Sequence, residues 1–222
     1  MSAAVVQSAR IKFCGITRIE DALAAAALGV DAVGLVMTRR SRRFVDLAQA
    51  CVIRAALPPF VTAVALLMDD APEWVAEVAQ AVRPDLLQFH GAERAEDCER
   101  HGLRYLKAAP MGSIRDVAAY AAAHPRAVGF LLDSHVHGAA GGTGERFDWQ
   151  RVPRDLARPV VLAGGLDAAN VAEAVRVAQP WAVDVSSGIE SAPGIKDAER
   201  MRRFVAAVRD QVGAILEAAR TS

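Results

Sequence analysis

The chain reads as an α/β fold of the (β/α)8 TIM-barrel class, eight parallel strands closed into a barrel, and three observations predict it. Short, near-continuous apolar runs alternate with Ala-rich amphipathic stretches, as strands covered on both faces alternate with surface helices. The alternation repeats eight times over 222 residues with no linker, compact for a fold that typically takes ~250 residues. No G-x-G-x-x-G follows the first strand, which removes the main sign of the alternative, an open doubly wound sheet. One domain spanning 1–222 is expected.

The elements follow in order. A strand at 11–16 leads to a helix at 19–28 that Gly29 closes as a C-cap. A strand at 32–36 precedes a helix at 47–56, and one at 61–67 precedes a helix at 73–82, with Pro72 at its start and Pro84 beyond its end. The run 86–89 is followed by a helix at 95–101 that Gly102 ends, and 105–108 by a helix at 113–123 with Pro125 beyond it. Only a short helix near Trp149 follows the strand at 128–132. A strand at 160–163 leads to a helix at 168–177 and then Pro180, and 182–186 leads to a last helix at 197–219.

Composition excludes several function classes. The 26 Lys+Arg residues balance 26 Asp+Glu, so the chain advertises no basic face for nucleic acid or an acidic membrane. Three cysteines, Cys14, Cys51 and Cys98, form no C-x-x-C pair and fit a reducing compartment without a disulfide framework. Cys51 and Cys98 fall on expected helices and read as packing residues. Positions 1–10 lack a signal-peptide core, and no apolar run approaches the ~20 residues needed to span a bilayer. A cytoplasmic protein is expected.

In a barrel the chemistry belongs at the C-terminal strand ends. Strand one ends in a thiol, Cys14, which can act as a base; period-two alternation puts Lys12 on the same face, where a cation favours the thiolate. Strand six ends with Asp133 after three large apolar residues, surroundings that can raise a carboxyl toward the range of a general acid. The residues alone leave open that Cys14 is a small buried hydrophobe and that Asp133 caps the next turn. Gly138, Gly141, Gly142 and Gly144 follow strand six, Gly164 and Gly165 strand seven, and Ser186, Ser187 and Gly188 strand eight. The last two groups, with a short extra helix near 187–190, stand where many barrels bind phosphate through backbone N–H groups. The run Arg39-Arg40-Ser41-Arg42-Arg43 lies on a rim loop, where an Arg fork can grip a substrate carboxylate. His135 and His137 lack a third ligand at recognised spacing, so no metal is assigned. His90, after Gln88 in strand four, is open to two readings, contact with the active rim or a hydrogen bond inside the barrel, of which the second is preferred.

Taken together and in order, KFCGIT at 12–17, EDALAAAALGVDAVGLV at 20–36, SRRFV at 41–45, LLQFHG at 86–91, LLDS at 131–134, GGTGERFDW at 141–149, LAGGLDAANV at 162–171 and VDVSSGIESAPGIKD at 183–197 make the chain resemble the phosphoribosylanthranilate isomerases nearly end to end. The resemblance implies an Amadori rearrangement of a phosphosugar in tryptophan biosynthesis, without metal or organic cofactor. It implies Asp133 as general acid, Cys14 as general base, Arg43 on the anthranilate carboxylate, and the loops at Gly142, Gly165 and Gly188 on the phosphate. Asp184 and Ser186 are added as substrate-side residues, and Asp184 is expected to pair with Lys12 across strands eight and one. A monomer is expected, with a dimer as the alternative. Two segments depart from the family pattern: Thr38-Arg39-Arg40 replaces a proline-containing turn, and Leu67-Met68-Asp69 replaces a strand end of the FVN kind. The runner-up, a histidine-pathway isomerase, would have an aspartate at the end of strand one and a two-half internal repeat. A non-catalytic phosphate sensor would be expected to lose Cys14 or Asp133.

Overall fold

A computed structural model describes residues 9–134 and 147–220, with side chains through 210. The apolar runs form β1 (Arg10–Cys14), β2 (Ala32–Val36), β3 (Thr62–Leu67), β4 (Leu86–Phe89), β5 (Tyr105–Pro110), β6 (Gly129–Asp133), β7 (Val160–Leu162) and β8 (Ala182–Val185). Neighbours in sequence pair in parallel, and β8 returns to β1, closing the barrel. The helices between them are α1 (Ile19–Ala27), α2 (Leu47–Ala56), α3 (Pro72–Val82), α4 (Ala95–Glu99), α5 (Val117–Ala122), α6 (Val171–Ala178) and α7 (Ala198–Arg220). After β6, only a 3-10 turn at Trp149–Arg151 appears among the described residues.

Alternation along the strands builds two layers. Phe13, Val33, Leu35, Ala63, Ala65, Phe89, Phe130, Leu132, Val183 and Val185 join the cluster packed under the helices. The intervening Ala108, Leu131, Val161, Ala163 and Ala182 make a separate, smaller cluster inside the barrel. Pro72 at the first turn of α3 and Gly29 at φ +72° after α1 punctuate the helices as expected.

Several boundaries differ from expectation for local reasons. The helix expected at 113–123 begins at Val117, because the Asp116 side chain accepts from Ala119 N at 2.9 Å and caps it there. The helix expected at 168–177 begins at Val171, since the Asp167 carboxylate takes the backbone N–H groups of Ala169 and Asn170 in a turn. The short helix expected near 187–190 is a 3-10 turn at Ser187–Ile189. An unforeseen antiparallel hairpin follows it, β9 (Glu190–Ala192) with β10 (Ile195–Lys196). Among the described residues, no helix is long and apolar enough to cross a membrane.

Candidate active site

Because Phe13 faces the helices, its neighbours Lys12 and Cys14 turn into the barrel. Closure puts Lys12 in register with Asp184 of β8. The expected pair forms there, Lys12 Nζ donating to Asp184 Oδ1 at 2.8 Å with both side chains buried. Gly34 of β2, in register with Cys14, makes room for both: a Cβ there would stand 2.9 Å from Cys14 Sγ and 3.1 Å from Lys12 Nζ. Thiol and ammonium therefore crowd one spot. Burial nevertheless pushes the Cys14 thiol above its ordinary value, and the opposing pull of Lys12 and Lys196 offsets this only in part. The cation that the sequence placed beneath the thiol is present, but desolvation outweighs it. For Lys12, burial works against the charge, yet Asp184 and Cys14 more than compensate and its pKa is raised.

Asp133 ends β6, buried and opposite Pro110 of β5. His90 Nε2 lies 3.5 Å from Asp133 Oδ2, and the Gln88 amide nitrogen lies 3.1 Å from His90 Nδ1. The Gln88 amide therefore faces Nδ1, while Nε2 faces Asp133. His90 thus makes its expected interior hydrogen bond and also belongs to the rim. The available signal was alternation past the end of β4: Phe89 packs outward, so Gln88 and His90 share the inner face.

Cys14, Asp133, Asp184, Ser186 and Arg43 line one open cavity at the C-terminal strand ends. Val36, Leu66 and Met68 give it an apolar wall, and Gln88, His90, Thr38, Arg40 and Ser41 complete the lining. A thiol on one side and a carboxyl on the other can move two protons on a ligand held between them.

The four arginines of the rim run have different partners. Arg39 lies over the rings of Phe44 and Trp74, 5.3 and 5.1 Å from their centroids. Arg40 approaches Asp69 at 3.8 Å, joining the two segments that depart from the family pattern. Arg42 is exposed. Arg43 is held by Glu190, with its Nε and Nη2 on the two carboxylate oxygens at 2.7 and 2.8 Å.

Of the described residues expected to bind phosphate, only Ser186 is among those lining the cavity. Gly164 and Gly165 follow β7 with φ of 89° and 62°, and Ser187 and Gly188 form the turn after β8. Gly142 lies outside the described residues, as do His135 and His137. At Gly188 a Cβ would fall 2.0 Å from the Leu166 carbonyl oxygen, so only glycine lets the loops after β7 and β8 meet. Gly188→Ala is expected to part them and to lower kcat/KM by roughly 10- to 100-fold, the cost of an ångström-scale misplacement. Steady-state kinetics check this, and an unchanged kcat/KM would show that these loops do not hold the substrate.

Lys196 and Glu190 went unnoticed in the sequence. Lys196 Nζ donates to the Cys14 carbonyl at 2.7 Å, the Ser186 carbonyl at 3.2 Å and Glu190 Oε1 at 2.8 Å. Burial draws the Lys196 ammonium below its ordinary value although Glu190 supports the charge.

Known proteins resemble the chain in sequence and fold. The family model for N-(5'-phosphoribosyl)anthranilate isomerase matches residues 11–207. The chain is 56% identical over 202 residues to the N-(5'-phosphoribosyl)anthranilate isomerase of Pseudomonas aeruginosa, covering 91% of this chain and 96% of that one. The crystal structure of the Thermus thermophilus phosphoribosyl anthranilate isomerase superposes with a TM-score of 0.81 at 38% identity, over 90% of this chain and 98% of that one. Another isomerase structure, in complex with reduced 1-(o-carboxyphenylamino)-1-deoxyribulose 5-phosphate, gives 0.78 at 34% identity over 91% and 99%. The chain belongs to the phosphoribosylanthranilate isomerase family.

Proposed function

We propose that the chain catalyses the Amadori rearrangement of N-(5'-phosphoribosyl)anthranilate to 1-(2-carboxyphenylamino)-1-deoxyribulose 5-phosphate, a step of tryptophan biosynthesis, as a single cytoplasmic (β/α)8 domain. The observation that carries this reading is the pairing of Cys14 and Asp133 across one cavity, in a chain of this family. Asp133 gives its proton to the furanose ring oxygen, the C1–O bond breaks, and the nitrogen lone pair forms the C1=N bond of a Schiff base. The cationic imine acidifies the C2–H bond. Cys14, as thiolate, takes that proton, and the released electron pair makes an enolamine that tautomerises to the ketone. The imine is the electron sink, so the sequence of steps uses no cofactor or metal.

Arg43 holds the anthranilate carboxylate, and the turns at Gly165 and Gly188 hold the phosphate through backbone N–H groups. Ser186 and Asp184, both lining the cavity, are assigned to the sugar. The test is a fluorescence time course with freshly generated substrate, following loss of anthranilate emission and identifying the product. A folded, reduced sample that leaves the substrate untouched would refute the reading.

The raised thiol sets a pH dependence. The base works deprotonated, and its pKa lies above the ordinary 9.0, so the thiolate fraction grows with pH across the neutral range. Alkylation of Cys14 by a small thiol reagent, which reads the thiolate alone, is expected to speed up roughly tenfold per pH unit between 7 and 8.5. A flat profile over that window would contradict a raised thiol in the free enzyme.

A monomer is the proposed working state. Light scattering separates it from the dimer.

A further inference from the structure

The guanidinium of Arg43 has two donor edges, and Glu190 fills one of them. Its Nε–H and one Nη2–H go to Glu190 at 2.7 and 2.8 Å. A guanidinium carries five N–H donors in a rigid plane, so the second Nη2–H and an Nη1–H remain as another fork at the end of the group. Among the described residues, no hydrogen bond or ion pair uses Nη1. Arg43 lines the cavity, whereas Glu190 does not.

Glu190 is itself firmly held. It is 6% exposed and accepts from Lys196 Nζ at 2.8 Å and from Gly194 N at 3.2 Å. Its hairpin is fastened to the start of the barrel, with Lys196 N on Asp21 Oδ2 at 3.1 Å and Thr17 Oγ1 on the Gly194 carbonyl. Burial would raise the Glu190 carboxyl, but Arg43 and Lys196 bring it below its ordinary value, so it stays an anion at neutral pH. One anion between two cations leaves a net positive charge beside the cavity. The opening for the Arg43 stem is also built in, since a Cβ on Gly15 would strike Arg43 Cδ at 2.5 Å.

We infer that Glu190 is a positioning residue for substrate recognition: it clamps Arg43 by the side edge so that the end edge stands ready as a fork for the aryl carboxylate. The inference rests on the reading of Arg43 as the partner of that carboxylate. A long arginine immobilised before binding has little rotamer freedom left to lose when the ligand arrives.

Two ligands test it by calorimetry: reduced 1-(o-carboxyphenylamino)-1-deoxyribulose 5-phosphate, and the phenylamino analogue that lacks the carboxylate. The unmodified protein is expected to prefer the first by roughly 10- to 100-fold, the range for hydrogen bonds between charged groups. Glu190→Gln is expected to cut that preference to about threefold or less while the carboxylate-free ligand keeps its affinity, and to raise KM more than it lowers kcat. Glu190→Asp, charged but one methylene short of the fork, is expected to fall between the two. Where Glu190→Gln does not fold, Glu190→Asp carries the test alone.

An undiminished preference in the folded variants would overturn the inference, as would an equal loss of both ligands. Arg43→Met separates the two levels of the argument. If the preference survives Arg43→Met, the assignment of Arg43 falls; if it is lost there but kept in the Glu190 variants, only the role of Glu190 falls.

Discussion

Cys14→Ser and Asp133→Asn are each expected to lower kcat by about 10²- to 10⁴-fold, the usual contribution of one positioned proton-transfer group. Serine keeps the size and place of the side chain, but its hydroxyl is far too weak an acid to supply an anion at neutral pH. Asparagine keeps the shape of Asp133 and removes the proton it donates. Both variants should retain the fold. Cys14 is a small side chain among Val36 and Leu66. The contacts of Asp133 with Ser134 and His90 are long, 3.4 and 3.5 Å. Turnover of freshly generated substrate, with circular dichroism and thermal melts as controls, decides the matter; wild-type rates in either folded variant would remove that residue from the mechanism.

The second large effect is on stability. Lys12→Met leaves the Asp184 carboxylate buried without the cation that donates to it at 2.8 Å. Removing one partner of a buried pair costs about 3–5 kcal/mol, because the remaining charge cannot reach water. For a chain of this size that corresponds to a fall in Tm of roughly 6–20 °C. The double variant Lys12→Met/Asp184→Leu is expected to recover most of the loss, since it removes both charges. Loss of Lys12 also takes away the largest influence holding the Cys14 thiol down, so the pH dependence of Cys14 alkylation should move to higher pH in Lys12→Met. Differential scanning calorimetry and a pH–rate profile test the two halves separately. An unchanged Tm would show that Asp184 has no need of Lys12.

Much of this was legible in the residues. Each strand run was visible because a parallel sheet buried on both faces needs continuous apolar residues, and the helices between were marked by Ala-rich stretches and by glycine or proline at their ends. The thiol and the carboxyl were visible because barrel chemistry sits at the C-terminal strand ends, where Cys14 and Asp133 fall. Even the Lys12–Asp184 pair could be read, since period-two alternation turns both side chains inward and closure of the barrel makes their strands neighbours.

The hairpin and its charges were not legible. SAPGIKD offers strands of only three and two residues around Pro193 and Gly194, which in sequence look like a loop. The partners of its side chains are remote in the chain: Arg43 and Glu190 are separated by 147 positions, and Lys196 and the Cys14 carbonyl by 182. The net direction of the Cys14 pKa was equally hidden, because alternation reports which cation is near but not how much water is lost.

By itself the sequence determined the barrel and its strand order, because these follow from periodicities of two and 3.6 residues and from local punctuation. Only the tertiary structure decided which edge of Arg43 Glu190 takes, what anchors Glu190 and that burial outweighs Lys12 at the thiol. Those outcomes depend on distances and desolvation among groups that chain closure brings together, and no local pattern encodes them.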